Sequence, residues 1–375
     1  VNKATGADDG IFISGSRKGN RSETAISSSY KGILDYYDRF FVPMYGGFDG
    51  FDVTEADPLR NSQLTVGSTT ELNHYAFNSI DRAIKTVADP EVVECNILVA
   101  PGITNDDITD RLIDIATTRA DALAIVDLKD VFTPSTENTD SFTNNLGTVK
   151  TTVSNIQTRD INSSYACTYY PWIQAKDTRT DRLVWMPPSV VALGTFASSQ
   201  EKTEVWFAPA GFNRGLVTDA IDIAVNPNQK QRDELYKANI NPVAFFPAQG
   251  QVIFGQKTLQ KKPSAFDRIN VRRLFLALER PTKKVSRFFV FETNSEFTRT
   301  RLVNTLTPLF ERAKNNEGLY DYLIVCDERN NTAAVIDANE LVVDIYIKPT
   351  RTAEFILVNF YATRTDANFE ELIGG

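Results

Sequence analysis

Histidine and cysteine are scarce in this chain of 375 residues, and their scarcity excludes several kinds of catalytic and metal chemistry. His74 is the single histidine, so Ser-His-Asp and Cys-His nucleophilic catalysis would both have to use it. It stands in a stretch with helical apolar periodicity, which favours a place on a helix surface. The three cysteines (Cys95, Cys167 and Cys326) are far apart, and each lies in an apolar run. We therefore expect buried free thiols, and neither a disulfide framework nor a metal site.

Motifs that bind nucleotides or calcium are lacking as well. The dinucleotide fingerprint GxGxxG does not occur, and the glycine-containing sequence GFNRG at 211–215 lacks the lysine of a phosphate-binding loop. The acidic stretch at 42–58 does not have the ligand spacing of an EF-hand. No pair of carboxylates stands out for general acid–base catalysis. The sequence thus predicts no catalytic residue, no metal site and no cofactor, and an α/β hydrolase or nucleotide-binding enzyme stays only as an alternative.

Long apolar runs and an excess of positive charge are also missing. No stretch approaches the roughly 18 unbroken apolar residues of a membrane span, so no membrane insertion is predicted. The formal net charge is −8, which argues against a nucleic-acid-binding protein. Hydrophobic residues make up 42% of the chain, so a sizeable core is expected.

The charges are unevenly distributed along the chain. Residues 35–130 hold 18 acidic against 7 basic residues, a net charge of −11. Residues 257–301, here called the basic band, hold 12 basic against 4 acidic residues, a net charge of +8. This separation favours head-to-tail self-association, with the acidic region of one copy on the basic band of the next. Two solvated surfaces are the alternative.

The first part of the chain alternates between helical and strand patterns. A helix at about 72–88 precedes the apolar run VECNILVAPG, a helix capped by Thr104 or Asn105 follows, and ALAIVDL is a second buried strand. This order predicts a βαβ unit and a parallel sheet. Further segments are predicted as strands or as a short helix up to about residue 240: strands YACTYYPWIQA, RLVWMPP and EVWFAPAG, and helix SVVALGTFASS.

Beyond residue 240 the pattern changes to helices and hairpins. DRINVRRLFLALER and the stretch at 294–314 read as helices, the second kinked or interrupted at Pro308. The predicted strands are RFFVFE, LYDYLIVCDE, LVVDIYIKP and AEFILVNFYAT. The predicted fold is α/β, a parallel or mixed sheet flanked by helices, with a C-terminal α+β portion ending in antiparallel strands. The predicted divisions are a flexible remnant at 1–35, an α/β domain at 36–240, and an α+β core domain with a terminal arm at 241–375.

Seven ordered motifs together resemble the sheath protein of contractile bacteriophage tails, most closely that of T-even-type phages: APAGFNRG, QRDELYKANINPV, FGQKTL, FDRINVRRLF, LYDYLIVCDERNNT, VIDANELVVDIYIKP and AEFILVNFYATRTDANFEELIG. The likeness is dense from about residue 205 and thinner back to about residue 44. It implies a non-enzymatic subunit without cofactors, which polymerises as a helical tube around the tail tube and contracts. The sheath of a phage-derived contractile bacteriocin or injection particle is the alternative within this class.

The resemblance also implies partners and a location. The partners are further copies of the same subunit, the tail tube protein, and the baseplate and tail terminator proteins, with no nucleic acid. The location is the virion, after assembly in the cytoplasm of the host bacterium. Family members begin with an N-terminal arm and outer domains before the matched region. We therefore expect this chain to correspond to the C-terminal portion of a longer one.

The hypothetical contact residues fall in two groups. Contacts to another subunit or to the tube are predicted for one group of arginines and lysines: Arg272, Arg273, Lys283, Lys284, Arg287 and Arg214. Arg214 either packs within its own subunit or meets a neighbour's carboxylate, while Gly211 and Gly215 are expected to form a tight turn with positive φ. A linking arm that adds a strand to a neighbour's sheet is predicted for the C-terminal segment, with Asp366, Phe369, Glu370 and Leu372.

Overall fold

A computed structural model describes residues 12–13, 16–17, 64, 75–129, 131–134 and 146–354. The helices are α1 (Tyr75–Thr86), α2 (Asp106–Arg119), α3 (Val149–Arg159), α4 (Pro188–Lys202), α5 (Gly211–Arg214), α6 (Gln229–Lys237), α7 (Ile269–Arg287), α8 (Glu296–Asn315) and α9 (Ala333–Asp337), with a 3-10 turn at Ala265–Asp267. The strands are β1 (Phe12–Ile13), β2 (Ser16–Arg17), β3 (Ile97–Val99), β4 (Leu123–Val126), β5 (Ala166–Tyr170), β6 (Ile173–Lys176), β7 (Leu183–Met186), β8 (Ala220–Ile223), β9 (Asn241–Phe246), β10 (Gly250–Ile253), β11 (Leu319–Val325) and β12 (Asp344–Pro349).

The central sheet has five strands in the order β10-β9-β5-β4-β3. Strands β3, β4, β5 and β9 run parallel, and β10 returns antiparallel to β9. Helix α2 makes the crossover between β3 and β4. Its first turn is closed by Asn105, whose side chain accepts a hydrogen bond from the Ile108 amide. The predicted βαβ unit and its parallel pairing are confirmed.

Both faces of this sheet are covered, which explains why its strands read as unbroken apolar runs. In β4, Ala124 and Val126 face a core built with α1, α2, α3 and α6. Leu123 and Ile125 face the opposite core, which contains side chains of α4 and α7. The alternation follows the two-residue period of a strand. The fold class predicted from the sequence is confirmed.

One predicted strand turns out to be two, in different sheets. Residues 165–175 were expected to form a single strand, but β5 ends at Tyr170 and β6 begins at Ile173. Pro171 lies between them and has no amide hydrogen to donate to a strand ladder. Strand β6 then pairs antiparallel with β7 and β8 in a separate three-stranded sheet.

The C-terminal unit is built from α7, α8 and the antiparallel pair β11–β12 around a third core. Helix α7 belongs to two cores at once. Ile269 and Leu276 pack in the core shared with the central sheet, whereas Leu274 and Leu278 pack in the third core. Helix α8 runs through Pro308 without interruption.

Two of the predicted strands are wrong, because their apolar residues serve turns. In EVWFAPAG the Phe207 amide bonds to the Glu204 carbonyl, and the Trp206 indole is inserted into the third core. In RFFVFE, turns that continue from α7 replace the strand, with the Phe288 amide bonded to the Val285 carbonyl.

Two further predictions concern boundaries and the chain's end. Strands β9 and β10 lie beyond residue 240 and belong to the same sheet as β3, β4 and β5. The predicted domain division at residue 240 stays a prediction. Residues 353–354 are not in a strand, and the rest of the predicted strand 353–363 lies outside the described residues.

Candidate assembly surfaces

Glu354 anchors the last described stretch of the chain to the body. Its carboxylate accepts hydrogen bonds from Arg268 Nε at 2.6 Å and Arg268 Nη2 at 2.9 Å, and from Gln256 Nε2 at 3.2 Å. The Tyr236 hydroxyl donates to it as well. Burial opposes ionisation of this carboxyl, but the bonds from Arg268 and Tyr236 outweigh it and lower the pKa of Glu354. The residues that lead into 355–375 are therefore held at a fixed place beside the start of α7.

Two arginines of the basic band point into their own subunit. The Arg272 guanidinium lies between two aromatic rings, 4.0 Å from the centre of Tyr165 and 4.0 Å from that of Phe266. Arg273 lies 4.7 Å from the ring centre of Phe196 on α4. Both side chains are buried in the described subunit, and contacts of either with another subunit stay a prediction.

Three further basic residues of the band on α7 pair with acidic residues of the same chain. Lys284 and Arg280 reach Glu94 at 2.5 Å and 3.5 Å, and Arg287 reaches Glu91 at 2.8 Å. The hydrogen bond from Lys284 lowers the pKa of Glu94. Lys283, on the same helix, is exposed. The complementary regions at 35–130 and 257–301 thus meet within one subunit, and their contact between copies or with a tube stays a prediction.

The connection from α7 to α8 exposes a group of large apolar side chains, here called the aromatic turn. Phe288 is 78% exposed and Phe291 is fully exposed at a φ of 69°, and Val290 and Phe297 also face solvent. Phe289 between them packs instead against the third core. Isolated exposed apolar residues are common, but several together mark an interaction surface.

The two glycines of GFNRG have different reasons to be glycine. Gly211 has a φ of +80°, as predicted, and opens the short helix α5. Gly215 has a φ of −94°, so the prediction of positive φ there is wrong. A Cβ at Gly215 would lie 2.6 Å from the Ile253 carbonyl oxygen. This close approach to β10 requires glycine.

Arg214 packs within its own subunit, which was one of the two alternatives. Its Nε donates to the Ala208 carbonyl at 3.0 Å, and the guanidinium lies 5.1 Å from the Phe207 ring centre. Phe212 of the same loop is half exposed and contacts the rings of Phe246 and Phe254. The loop therefore presents an aromatic cluster to solvent.

Asp127 is a buried carboxylate that the sequence analysis did not single out. It follows β4 directly and accepts hydrogen bonds from the Gly102 amide at 2.8 Å, the Ser189 amide at 3.1 Å and the Ser189 hydroxyl at 2.7 Å. Burial raises its pKa to about 6, against the opposing effect of these bonds. The carboxylate ties the loop after β3 to the first turn of α4. An acidic residue between an apolar strand and a later Pro-Pro-Ser helix start was the available signal.

His74, expected on a helix surface, lies outside the described part of the chain. The predicted residues of the linking arm lie outside it as well: Asp366, Phe369, Glu370 and Leu372. Within the described ranges, no group of three or more histidine, cysteine, aspartate or glutamate side chains could hold a metal ion. No helix there is both long and apolar enough to span a bilayer.

Comparison with known families covers most of the described body. Residues 78–259 match the phage tail sheath protein central domain, and residues 261–363 match the phage tail sheath C-terminal domain. The chain belongs to the phage tail sheath family. The tail sheath proteins of Vibrio phage KVP40 and Enterobacteria phage T4 are each 40% identical to this sheath chain over 215 residues, 57% of its length. The aligned part is 32% and 33% of those proteins, about a third of each.

Solved structures from two contractile particles share the fold of this sheath chain. The sheath complex of the extracellular contractile injection system PVC, in its contracted state, superposes with a TM-score of 0.61 at 23% identity over 75% of each chain. A chain of the contracted anti-feeding prophage baseplate also gives a TM-score of 0.61, at 15% identity over 80% of this chain and 78% of that one. The resemblance stated from the seven motifs is confirmed at the level of family and fold.

Proposed function

We propose that this chain supplies the central and C-terminal domains of a contractile phage tail sheath subunit. The subunit polymerises around a tail tube and contracts to drive that tube through the host envelope. The observation that carries this proposal is the match of two sheath domains, in order, to residues 78–259 and 261–363. The role is structural and non-enzymatic, in the virion, after assembly in the bacterial cytoplasm. Partners are further copies of the subunit, the tube, the baseplate and the tail terminator.

Helical polymers need contacts between different surfaces of neighbouring copies. The described body offers two exposed apolar surfaces that differ in place and composition, the aromatic turn and the cluster around Phe212. Contraction is a change from one helical lattice to another by rigid-body movement of subunits, with contacts exchanged while each fold is kept. No nucleotide is required where the extended lattice is metastable as assembled.

The C-terminal segment links subunits by strand addition. Strands β11 and β12 form a sheet of only two strands within the described residues, so each strand has an edge without a partner there. Two-stranded sheets are marginal in water, and open edges readily accept a further strand. The segment AEFILVNFYAT after the anchor at Glu354 is apolar on both faces, and the polar remainder carries Asp366, Phe369, Glu370 and Leu372. Backbone pairing with a neighbour survives rotation of the two bodies.

Truncation of the full-length subunit after Thr363 tests the linking arm. The truncated protein should keep its thermal unfolding transition and form no tubes by negative-stain microscopy. A full-length control with Phe369→Ala and Leu372→Ala keeps the backbone donors and acceptors, so it should still form tubes of lower stability. Normal tubes from the truncated chain would exclude the arm. Failure of the unmodified full-length protein to form tubes, with or without its tube protein, would contradict the sheath function itself.

The sheath of a phage-derived injection particle is the second candidate. The fold shared with the PVC and anti-feeding prophage structures favours it. The higher identity, 40%, to sheath proteins of phages supports the phage assignment.

A further inference from the structure

A small pocket between α7 and the segment around residue 96 is lined by an arginine side chain that lacks a counter-ion. The pocket has a volume of about 100 Å³, and Arg273 and Arg280, two turns apart on α7, both line it. Arg273 is only 4% exposed. Its Nη2 donates a hydrogen bond to Gln200 Oε1 at 3.1 Å, and no carboxylate of the described residues lies within ion-pair distance. A buried charge is costly unless it is paired.

The second arginine is also under-satisfied. Arg280 Nη2 is buried without a hydrogen bond in the described part of the chain, and its ion pair with Glu94 is long, at 3.5 Å. Lys284 already holds that carboxylate at 2.5 Å.

The other acidic group at the pocket is neutralised elsewhere. Asp121 lines the pocket, but both of its oxygens accept from Arg119, at 2.9 Å and 3.1 Å. Burial lowers the pKa of Arg273 to about 10, which still leaves the guanidinium charged at neutral pH. The pocket thus has an excess of positive charge with free N–H donors.

We propose that this pocket binds a small oxyanion, a carboxylate or phosphate group, between Arg273 and Arg280. Guanidinium groups present paired donors that match the oxygens of such groups, and the bonds are strengthened by charge. A volume of about 100 Å³ accepts a group of this size and not a nucleotide. The oxyanion comes either from an acidic side chain of a second copy or from free inorganic phosphate.

Calorimetric titration of the 375-residue chain with inorganic phosphate tests the binding, with chloride at equal ionic strength as reference. Wild-type protein should bind phosphate and unfold at a higher temperature in its presence. Arg273→Met and Arg280→Met should each weaken phosphate binding about tenfold or more. Lys283→Met removes one charge from the same helix outside the pocket and should leave binding unchanged. Arg273→Met should be at least as stable as wild type without phosphate, because an unpaired buried charge is removed.

Absence of phosphate binding by the wild type, or an equal loss in Lys283→Met, would overturn the site for free anions. A second measurement distinguishes a neighbour's carboxylate from free phosphate as the bound oxyanion. This measurement rests on the proposed function. If a neighbour's carboxylate fills the pocket, Arg273→Met and Arg280→Met lower tube formation by the full-length subunit, and phosphate inhibits the wild type. Phosphate binding with unaffected tube formation assigns the site to the free anion. If the wild type does not bind phosphate and the arginine variants form tubes normally, the proposal is refuted.

Discussion

Replacement of Asp127 by asparagine should change the pH dependence of stability in an unusual direction. The carboxylate receives three hydrogen bonds in a fully buried place between the loop after β3 and the start of α4. When Asp127 is protonated, its proton can be donated to the Ser189 hydroxyl, and both backbone amides keep their acceptors. In Asp127→Asn the amide nitrogen faces the Gly102 N–H, so one buried donor loses its acceptor. That loss costs about 1–3 kcal/mol.

The magnitude follows from the pKa of Asp127 in the folded protein. That pKa is about 6, against 3.8 for an unperturbed aspartate. A difference of this size between the folded and unfolded pKa corresponds to about 3 kcal/mol in the free energy of unfolding. The folded pKa is the higher one, so between pH 4 and 6 the folded state holds a proton that the unfolded state has released. The contribution of Asp127 to stability is therefore largest below pH 4 and is lost as the pH rises through 6. Most aspartates that pair with a cation behave in the opposite way.

Urea unfolding of wild type and Asp127→Asn at several pH values between 4 and 7.5 measures this difference. The contributions of the other titrating groups are the same in both proteins and cancel in the difference between their free energies of unfolding. The free energy of unfolding of the wild type, relative to the variant, should rise by about 2.4 kcal/mol from pH 7 to pH 4, and the rest of the roughly 3 kcal/mol follows at still lower pH. Ser189→Ala removes one bond to the carboxylate and should move the transition to higher pH. A wild-type advantage that is constant, or that falls with acidification, would refute the reasoning.

Three further outcomes are expected from the described contacts. Gly215→Ala should lower the free energy of unfolding in urea by about 2 kcal/mol or more, because the added Cβ meets backbone atoms. Gly194→Ala in α4, where the space is open, should raise it by about 0.5–1 kcal/mol. Equal effects would contradict the close approach at Gly215. Glu354→Gln should lower stability by about 1–2 kcal/mol and speed proteolysis near residue 350, and unchanged cleavage would argue against the anchor. Reversing the charges of Lys283, Lys284 and Arg287 should reduce tube formation and its salt sensitivity, and unaltered assembly would make the band a solvated surface.

The elements that sequence reasoning predicted are those whose local pattern and tertiary role agree. Asn105, one of the two predicted cap candidates, is the cap of α2. The apolar runs of β3 and β4 are buried on both faces because helices cover both. Sequence reasoning was wrong where apolar clusters lie in turns and not in strands. In RFFVFE the residues Phe288 and Phe291 are of a type common in strands, but they lie in turns and pair with no strand of the described residues.

The candidate surfaces were less predictable than the fold, because charge along a chain does not tell where side chains point. The basic band was recognised, yet Arg272 and Arg273 are inside and Arg287 meets Glu91 of the same chain. Helical periodicity could have placed Arg273 near Leu276 on an apolar face, but the packing of Phe196 against it depends on a contact distant in sequence. The Asp127 bonds likewise join residues 25 and 62 positions away.

Helix α7 makes the described body stiff. Sliding the β11–β12 unit over the central sheet would pull either Ile269 and Leu276 or Leu274 and Leu278 out of a core. Exposing two such side chains costs about 3–6 kcal/mol, several times the thermal energy. A load applied at the C-terminal unit therefore reaches the central sheet without being absorbed by bending between them. If such bodies form the proposed contractile polymer, compliance lies in the connections between subunits, and those connections decide how far the polymer shortens.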